Sequence, residues 1–431
     1  MSADILIVGG GPAGLACAGQ LVENCGHQVQ ILEKQSTVGG RFRSFELKEF
    51  PFPVDNCQHI LTGSCSESLH FFHRYGGEDL FIRRDGFSIA GDGEVDYVNN
   101  SSWPVPFNLA GLYRQLAGIS LDSLGAIIKL FRLKNADPNR YPTAGSWLKI
   151  NQPSRLNRNL WYPLIRSALN EEPARVALEP FKKWVFTGLL SSRGASSLHV
   201  PRFCAEEIFT ERIASRLEEA GVRIDCNKEV KKINPAAGTL TVSGEGQVEA
   251  DRIVSAVPSH VLPQLLPEKI TNSPRFRGMD GWESSPILSV HLLVEPEISF
   301  PAVSFLKDSF FEWLFHDPHQ KKKGYLQLVK SAAYRYEKMS AEAAIKRAKE
   351  DLQELFSCQL DIAAARAVYE KRATVSLTPA VEKNRFGPDT DWNNLIVAGD
   401  WVQTGWPATL ESAVRSGRKA ARLLLEEEGE G

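Results

Sequence analysis

Residues 4–34 read DILIVGGGPAGLACAGQLVENCGHQVQILEK. Ile5 to Val8 is a continuous apolar run, as a strand buried on both faces requires. Gly9, Gly11 and Gly14 follow in G-x-G-x-x-G spacing. The first permits a tight turn, the second lets backbone approach a pyrophosphate, and the third lets helix pack on strand. Pro12 suits the first helical turn, Ala13 follows it within the same loop, and Gly26 ends the helix. A second strand, QVQILE, closes on Glu33, 19 residues after Gly14. An acid there reaches a ribose 2′-hydroxyl. A glycine turn that merely joined strand to helix would leave that acid unexplained. Dinucleotide binding is the expectation.

The rest of the chain limits the alternatives. At 431 residues it is too long for one compact core, and two domains are expected. A net charge of -2 gives no electrostatic reason to expect nucleic acid. Seven scattered cysteines without a CxxC pair indicate neither a disulfide framework nor a metal site. Reduced thiols and a cytoplasmic location are the plain reading. The uncharged run from Ile5 to Val22 contains Pro12 and five glycines and has Asp4 in front. That fits strand, turn and helix, and suits neither a signal peptide nor a spanning helix.

A second anion site follows the acid. In KQSTVGGRFR, residues 34–43, Gly39 and Gly40 offer backbone amides and Arg41 a guanidinium to a diphosphate, with Lys34 at the strand end. Near the other terminus, LIVAG at 395–399 runs into GDWVQTGWPATLESAVRSGRKAA at 399–421. Asp400 stands at a strand tip, ahead of a turn and a long amphipathic helix rich in small residues. A helix start attracts anions and electron-rich oxygens, because its first amides lack partners.

The paired loops resemble those of glutathione-reductase-type FAD proteins, and only one G-x-G-x-x-G occurs, so no second nucleotide domain is evident. That resemblance implies FAD, with Asp400 after Gly399 bonding its ribitol or pyrophosphate end. The helix starting near Pro407, Ala408 and Leu410 would aim amides at the flavin pyrimidine oxygen. Val230 would meet the adenine through its backbone, and Ala256, within Ser255 to Pro258, would lie near the dinucleotide. No cysteine occurs from Asn393 to Gly417, so the FAD is expected to be noncovalent.

Three segments are expected to build the FAD domain: 1–61, 200–282 and 377–431. The middle one begins with the amphipathic AEEIFTERIASRLEEAG, stopped by Gly221, and continues through the strands RIDC, KEVKKI, TLTV, QVEA and DRIVSAVP. Residues 62–199 and 283–376 are assigned to a mixed α+β substrate domain, with a helical insertion at about 104–190. The fold class is α/β, a Rossmann-like FAD domain with a discontinuous substrate domain.

Nearly the whole chain is similar to the amine-oxidase and phytoene-desaturase superfamily of flavoproteins. Five stretches resemble its squalene-associated branch, the hydroxysqualene dehydroxylases. They are VDNCQHILTGS at 54–64, WYPLIRSALNEEP at 161–173, SSLHVPR at 196–202, SPILSVHLLVE at 285–295 and AGDWVQTGWPATLESAVRSG at 398–417. Cys57 stands where that pattern has glycine, and Trp406 replaces a smaller aliphatic residue.

The resemblance implies reductive loss of an allylic-type hydroxyl from a C30 isoprenoid, giving squalene. Such chemistry needs a hydride donor, an acid for the departing hydroxyl and a dry apolar cavity. Asp55, Gln58 and His59 would pass the flavin face. With an ordinary pKa of about 6.5, His59 is the candidate acid. A buried scaffold role for His59 and a turn-bracing role for Asp55 stand beside the catalytic readings. The sequence names no electron donor.

LDSLGAIIKLFRLK, residues 121–134, places Leu121, Leu124, Ile128 and Phe131 on one stripe, flanked by Lys129, Arg132 and Lys134. The stripe fits either a protein core or a helix lying on the inner face of an anionic membrane, and a lipophilic substrate makes peripheral membrane contact an expected property. QKKKG at 320–324 reads as a solvated loop. Carotenoid-type desaturation, amine oxidation and non-redox prenyl binding are the rival functions. No lysine occurs on SPILSVHLLVE, where amine-oxidising relatives often carry one, although His291 does.

Overall fold

The computed structural model describes residues 3–24, 26–91, 93–99, 105, 114, 121–295, 300–316 and 323–429. Most of 104–120 and residues 320–322 of the expected loop lie outside them, as do the side chains of Leu121 and Leu124.

Strand Ala3–Val8 sits at the centre of the first sheet. Parallel neighbours are Val29–Leu32, with Arg223–Asp225 beyond it, and the C-terminal half of Gly246–Ser255, with Leu395–Val397 beyond that. The N-terminal half of Gly246–Ser255 runs on into an antiparallel meander with Thr239–Val242 and Val230–Asn234. QVEA and DRIVS are therefore one strand of ten residues rather than two. Ile5, Ile7, Val29, Ile31, Val254 and Ile396 turn one face of the sheet toward helices Pro12–Val22 and Leu410–Gly429.

Those two helices approach closely because Gly417 has no side chain. A Cβ there would lie 2.0 Å from the carbonyl oxygen of Ala13. The run of small residues in the C-terminal segment thus has a packing cause. The AEEIFTERIASRLEEAG segment is helical as expected, with a π-helical stretch Glu207–Ala214 followed by Ser215–Glu219, and Gly221 stops it at φ 101°.

A second sheet of seven strands runs in the order Ile362–Val375, Ser284–Val294, Tyr325–Ser331, Trp313–His316, Val303–Leu306, Gly86–Gly91 and Glu94–Asn99. Leu288, Val290 and Leu292 point to the face covered by helix Ala341–Phe356, which buries Ala344, Ala348, Leu352 and Leu355 there. The alternate residues Ser289 and His291 turn the other way. On that side Tyr325 and Leu293 pack on Phe50, Phe52 and Val54, while Val303, Phe315 and Val329 pack on Cys57 and Ile60. Residues 50–60 therefore lie across the second sheet.

One boundary differs from expectation. Helix Ser66–Gly76 buries Phe71, Phe72 and Tyr75 in the same core as Ile5, Leu15 and Ala413. The Tyr75 hydroxyl donates to Gly19 O at 2.9 Å. Helix Ser66–Gly76, expected in the substrate domain, thus packs into the core of the glycine-turn sheet. The insertion helices Ala144–Asn151, Tyr162–Leu169 and Leu178–Lys183 pack through Trp147, Trp161, Ile165 and Phe181.

Candidate functional site

The glycine turn is built as its spacing requires. Gly9 has φ 110°, and a Cβ there would sit 3.0 Å from Ala256 O. At Gly14 a Cβ would be 2.0 Å from Gly9 O, so helix and turn meet only through glycine. The Ala256 amide continues the sheet by donating to Val8 O at 2.8 Å. Glu33 is buried beneath the turn: one carboxylate oxygen accepts the Gly10 amide at 2.7 Å, the other that of Gln35 at 2.8 Å. The second loop joins the first, with the Gly39 amide donating to Gly10 O at 2.9 Å and a Cβ on Gly40 only 3.1 Å from Gly11 Cα. Lys34 is exposed and pairs with Glu229 at 3.0 Å, just ahead of the buried Val230.

The C-terminal segment arrives beside these loops. Asp400 is 4 % exposed, and its Oδ1 lies 2.5 Å from Arg41 Nη2. The other terminal nitrogen of Arg41 donates to Ala373 O at 2.9 Å, on the outermost strand of the second sheet. Serines of the following helix hold the loop: the Gly399 amide donates to Ser416 Oγ at 2.8 Å, and Thr404 Oγ1 bonds Ser412 Oγ at 2.8 Å. Glu411 instead accepts the Ser68 and Glu67 amides, satisfying the start of helix Ser66–Gly76. Pro407 and Ala408 are buried ahead of Leu410, where that helix begins.

The sequence reading missed Arg385. Its side chain is fully buried and donates to Trp401 O at 2.9 Å, Asp400 O at 3.3 Å, Val402 O at 2.8 Å and Trp406 O at 3.1 Å, with Glu382 at 2.8 Å as its counter-ion. A guanidinium with five donors in a rigid fork suits a loop that turns its carbonyls inward. Arginine in a segment without a motif gave no signal for this role. Asn56 was missed too. Its Nδ2 donates to Arg41 O at 2.9 Å, and its Oδ1 lies 3.2 Å from His59 Nε2, so it couples the second loop to the segment across the sheet.

His59 and Asp55 line a small aromatic cavity of about 20 Å³ with Phe42, Phe72, Phe81 and Phe209, room for about one water. Phe42 lies against the imidazole, ring centroids 4.1 Å apart. Burial pulls the His59 pKa from 6.5 down to about 3. A pKa that low would keep the ring neutral at neutral pH, which counts against an imidazolium acid. Asn56 Nδ2 is committed to a carbonyl, so Oδ1 accepts from His59 Nε2–H and the Nδ1 lone pair is left. Asp55 Oδ1 accepts from Ser44 Oγ at 2.7 Å and the Ala205 amide at 3.0 Å. It braces a turn to a helix start, the structural one of its two readings. Gln58 is partly buried on the same segment. Burial pushes the neighbouring Cys57 thiol up to about 11, so it stays protonated facing Ser289. On the strand without lysine, His291 Nδ1 meets the Tyr325 hydroxyl at 2.7 Å, both residues buried.

Comparison with known proteins bears on this arrangement. The family model for flavin containing amine oxidoreductases matches residues 12–425, from the glycine turn through the C-terminal helix. The chain belongs to that family. Among its relatives is a hydroxysqualene dehydroxylase of Zymomonas mobilis, 28% identical, covering 97% of this chain and 98% of that one. A 15-cis-phytoene desaturase of Synechococcus elongatus is 22% identical, over 99% and 96%. An oxidoreductase from Methanosarcina mazei shares the fold at TM-score 0.75 with 16% identity, covering 98% of this chain and all of that one.

This member of the family is an FAD-dependent oxidoreductase. Its residues fit the cofactor. The two glycine loops pack against each other through Gly40 and Gly11 with no side chain between them, and the buried Asp400 and Glu33 carboxylates stand at either end of them.

Proposed function

We propose that this flavoenzyme reductively dehydroxylates hydroxysqualene to squalene. The reading rests on one observation above others: the cavity beside segment 54–60 is lined by aromatic and aliphatic side chains, with Asp55 and His59 as its polar members. The acid in that lining, Asp55, already accepts from Ser44 and the Ala205 amide through Oδ1, an arrangement that favours an uncharged substrate over an amine. A lining of that kind suits the hydroxyl-bearing carbon of an apolar chain, the cavity itself having room for about one water. The relatives named for isoprenoid substrates support the same class.

Gly9, Gly11, Gly14, Glu33, Gly40, Arg41 and Asp400 would hold FAD, whose reduced form would supply the hydride. The carbon–oxygen bond breaks, the carbon gains that hydride, and the oxygen leaves with one added proton as water. Around this exchange the protein excludes water through Phe42, Phe72 and Phe209 and orients the hydroxyl. The neutral His59 would accept the hydroxyl proton's hydrogen bond at Nδ1, held in that tautomer by Asn56. The neutral imidazole has no proton to give, so the one that makes the oxygen a leaving group would be delivered from solvent by the single water the cavity has room for.

The same lone pair favours a second reading. Desaturation needs a proton acceptor near the flavin, with hydride flowing the other way. Product analysis separates the two. Reduced enzyme mixed anaerobically with hydroxysqualene is expected to yield squalene. A lipid extract with no squalene, alongside oxidised enzyme that introduces double bonds into a hydrocarbon, would overturn dehydroxylation in favour of desaturation.

A further inference from the structure

The helix Leu121–Leu130 and the turn Phe131–Asn135 bury Ala126, Leu130 and Leu133 in the insertion core. Ile128 and Phe131, expected on one stripe with Leu121 and Leu124, point away from that core and are 63% and 53% exposed. Three residues apart on a helical path, they share its outward side. Lys129 and Arg132 flank them on one edge and Lys134 on the other, all exposed. The adjoining helix Ala144–Asn151 adds Ile150, 69% exposed, next to the exposed Lys149. Gln152 Nε2 donates to Ala126 O at 3.1 Å, which sets the two helices side by side.

The charge around these apolar side chains is one-sided. Residues 125–158 contain seven Lys and Arg and a single acid, Asp137, in a chain whose net charge is -2. All seven cations are exposed. Among the described residues, no acid pairs with Lys129, Arg132, Lys134 or Lys149. A core helix would bury Ile128 and Phe131, and a merely solvated one would not expose them among unpaired cations. Large apolar side chains projecting between lysines and arginines match what an anionic lipid surface takes: the apolar groups enter the headgroup boundary and the cations stay with the phosphates.

We propose that residues 125–158 form a docking face for an anionic bilayer, with Ile128, Phe131 and Ile150 inserted and the surrounding cations on the lipid phosphates. The face deepens the isoprenoid reading, because a substrate dissolved in lipid is met from the bilayer side. No helix among the described residues is long and apolar enough to cross a membrane, so contact is by this surface.

FAD-loaded enzyme should sediment with vesicles of equal phosphatidylglycerol and phosphatidylcholine, and not with phosphatidylcholine alone. The triple variant Lys129→Glu, Arg132→Glu, Lys134→Glu should bind the anionic vesicles on the order of a hundredfold more weakly, since each cation near such a surface contributes about a factor of five. The pair Ile128→Ser, Phe131→Ser should bind roughly tenfold or more weakly, with flavin content and turnover of detergent-dispersed substrate unchanged. Anionic vesicles that fail to pull down the wild type, or that bind both variants undiminished, would overturn the proposal. So would a dimer that the Ile128→Ser, Phe131→Ser pair converts to monomer with vesicle binding intact, which would give the patch to a second copy. Vesicle binding by an enzyme inactive on hydroxysqualene supports the docking face and counts against the substrate reading alone.

Discussion

Arg41 and Asp400 meet at 2.5 Å, bringing the second glycine loop and the C-terminal strand tip to one point. Through Ala373 O the same guanidinium also holds the edge strand of the second sheet. One side chain thus ties together the second glycine loop, the C-terminal strand tip and the edge of the second sheet. Charge-assisted bonds of this kind, partly shielded from water, are strong and sensitive to the loss of either partner.

Asp400→Ala removes the buried partner of Arg41 and the carboxylate placed for FAD. Cofactor retention should fall by tenfold or more, the usual consequence of leaving one member of a buried charge pair behind. Flavin-to-protein ratio after gel filtration reads this directly. Full occupancy in the purified variant would contradict the assignment of the segment.

Arg385 should prove as important as any motif residue. Arg385→Met removes a donor from four inward carbonyls and the counter-ion from Glu382. A loss of about 3–5 kcal/mol in stability is expected, with weaker FAD binding because the 400–406 loop is no longer held. Arg385→Lys should not rescue, since one ammonium cannot reach four acceptors. Denaturant midpoints and flavin occupancy together test the point, and a lysine variant of normal occupancy would refute it.

Gly417→Ala sets a methyl against Ala13 O and should cost at least about 2 kcal/mol as the two helices separate. Gly125→Ala is the control. Nothing lies within 4 Å of its added methyl, and in a helix it should be neutral or stabilise by up to about 1 kcal/mol. Equal thermal midpoints for the two variants would argue against close packing at Gly417.

The His59 pKa of about 3 carries a pH signature. A histidine whose pKa is lowered on folding binds fewer protons folded than unfolded between pH 3 and 6.5. Stability should therefore rise with pH through that window and be unaffected by this group above it. His59→Gln should flatten that acid limb in urea titrations. Turnover should show no step near pH 6.5 that the substitution removes. A step at that pH, lost in the variant, would restore the imidazolium acid.

Much of this was legible in the sequence because the cofactor constrains local pattern. Gly9, Gly14, Glu33 and Arg41 announce themselves through spacing, and the structure places Asp400 against Arg41. What the sequence hid depends on burial and partners far along the chain. The burial that lowers the His59 pKa comes with a cavity lined by Phe42, Phe72 and Phe209, none of them a sequence neighbour. Arg385 has no motif, only four carbonyls that turn toward it. Helix Ser66–Gly76 joined the first domain because its core partners, Leu15 and Ala413, come from both ends of the chain. The stripe of Ile128 and Phe131 has helical period on either reading, and periodicity alone does not say which face turns inward.

The central claim is the direction of hydride flow, and flavin absorbance follows it in real time. Enzyme reduced in the absence of oxygen and mixed with one equivalent of hydroxysqualene should regain its oxidised-flavin spectrum in step with squalene formation, one flavin per squalene. A spectrum that stays bleached with hydroxysqualene, while oxidised enzyme bleaches on mixing with an unsaturated C30 or C40 hydrocarbon, would contradict the account.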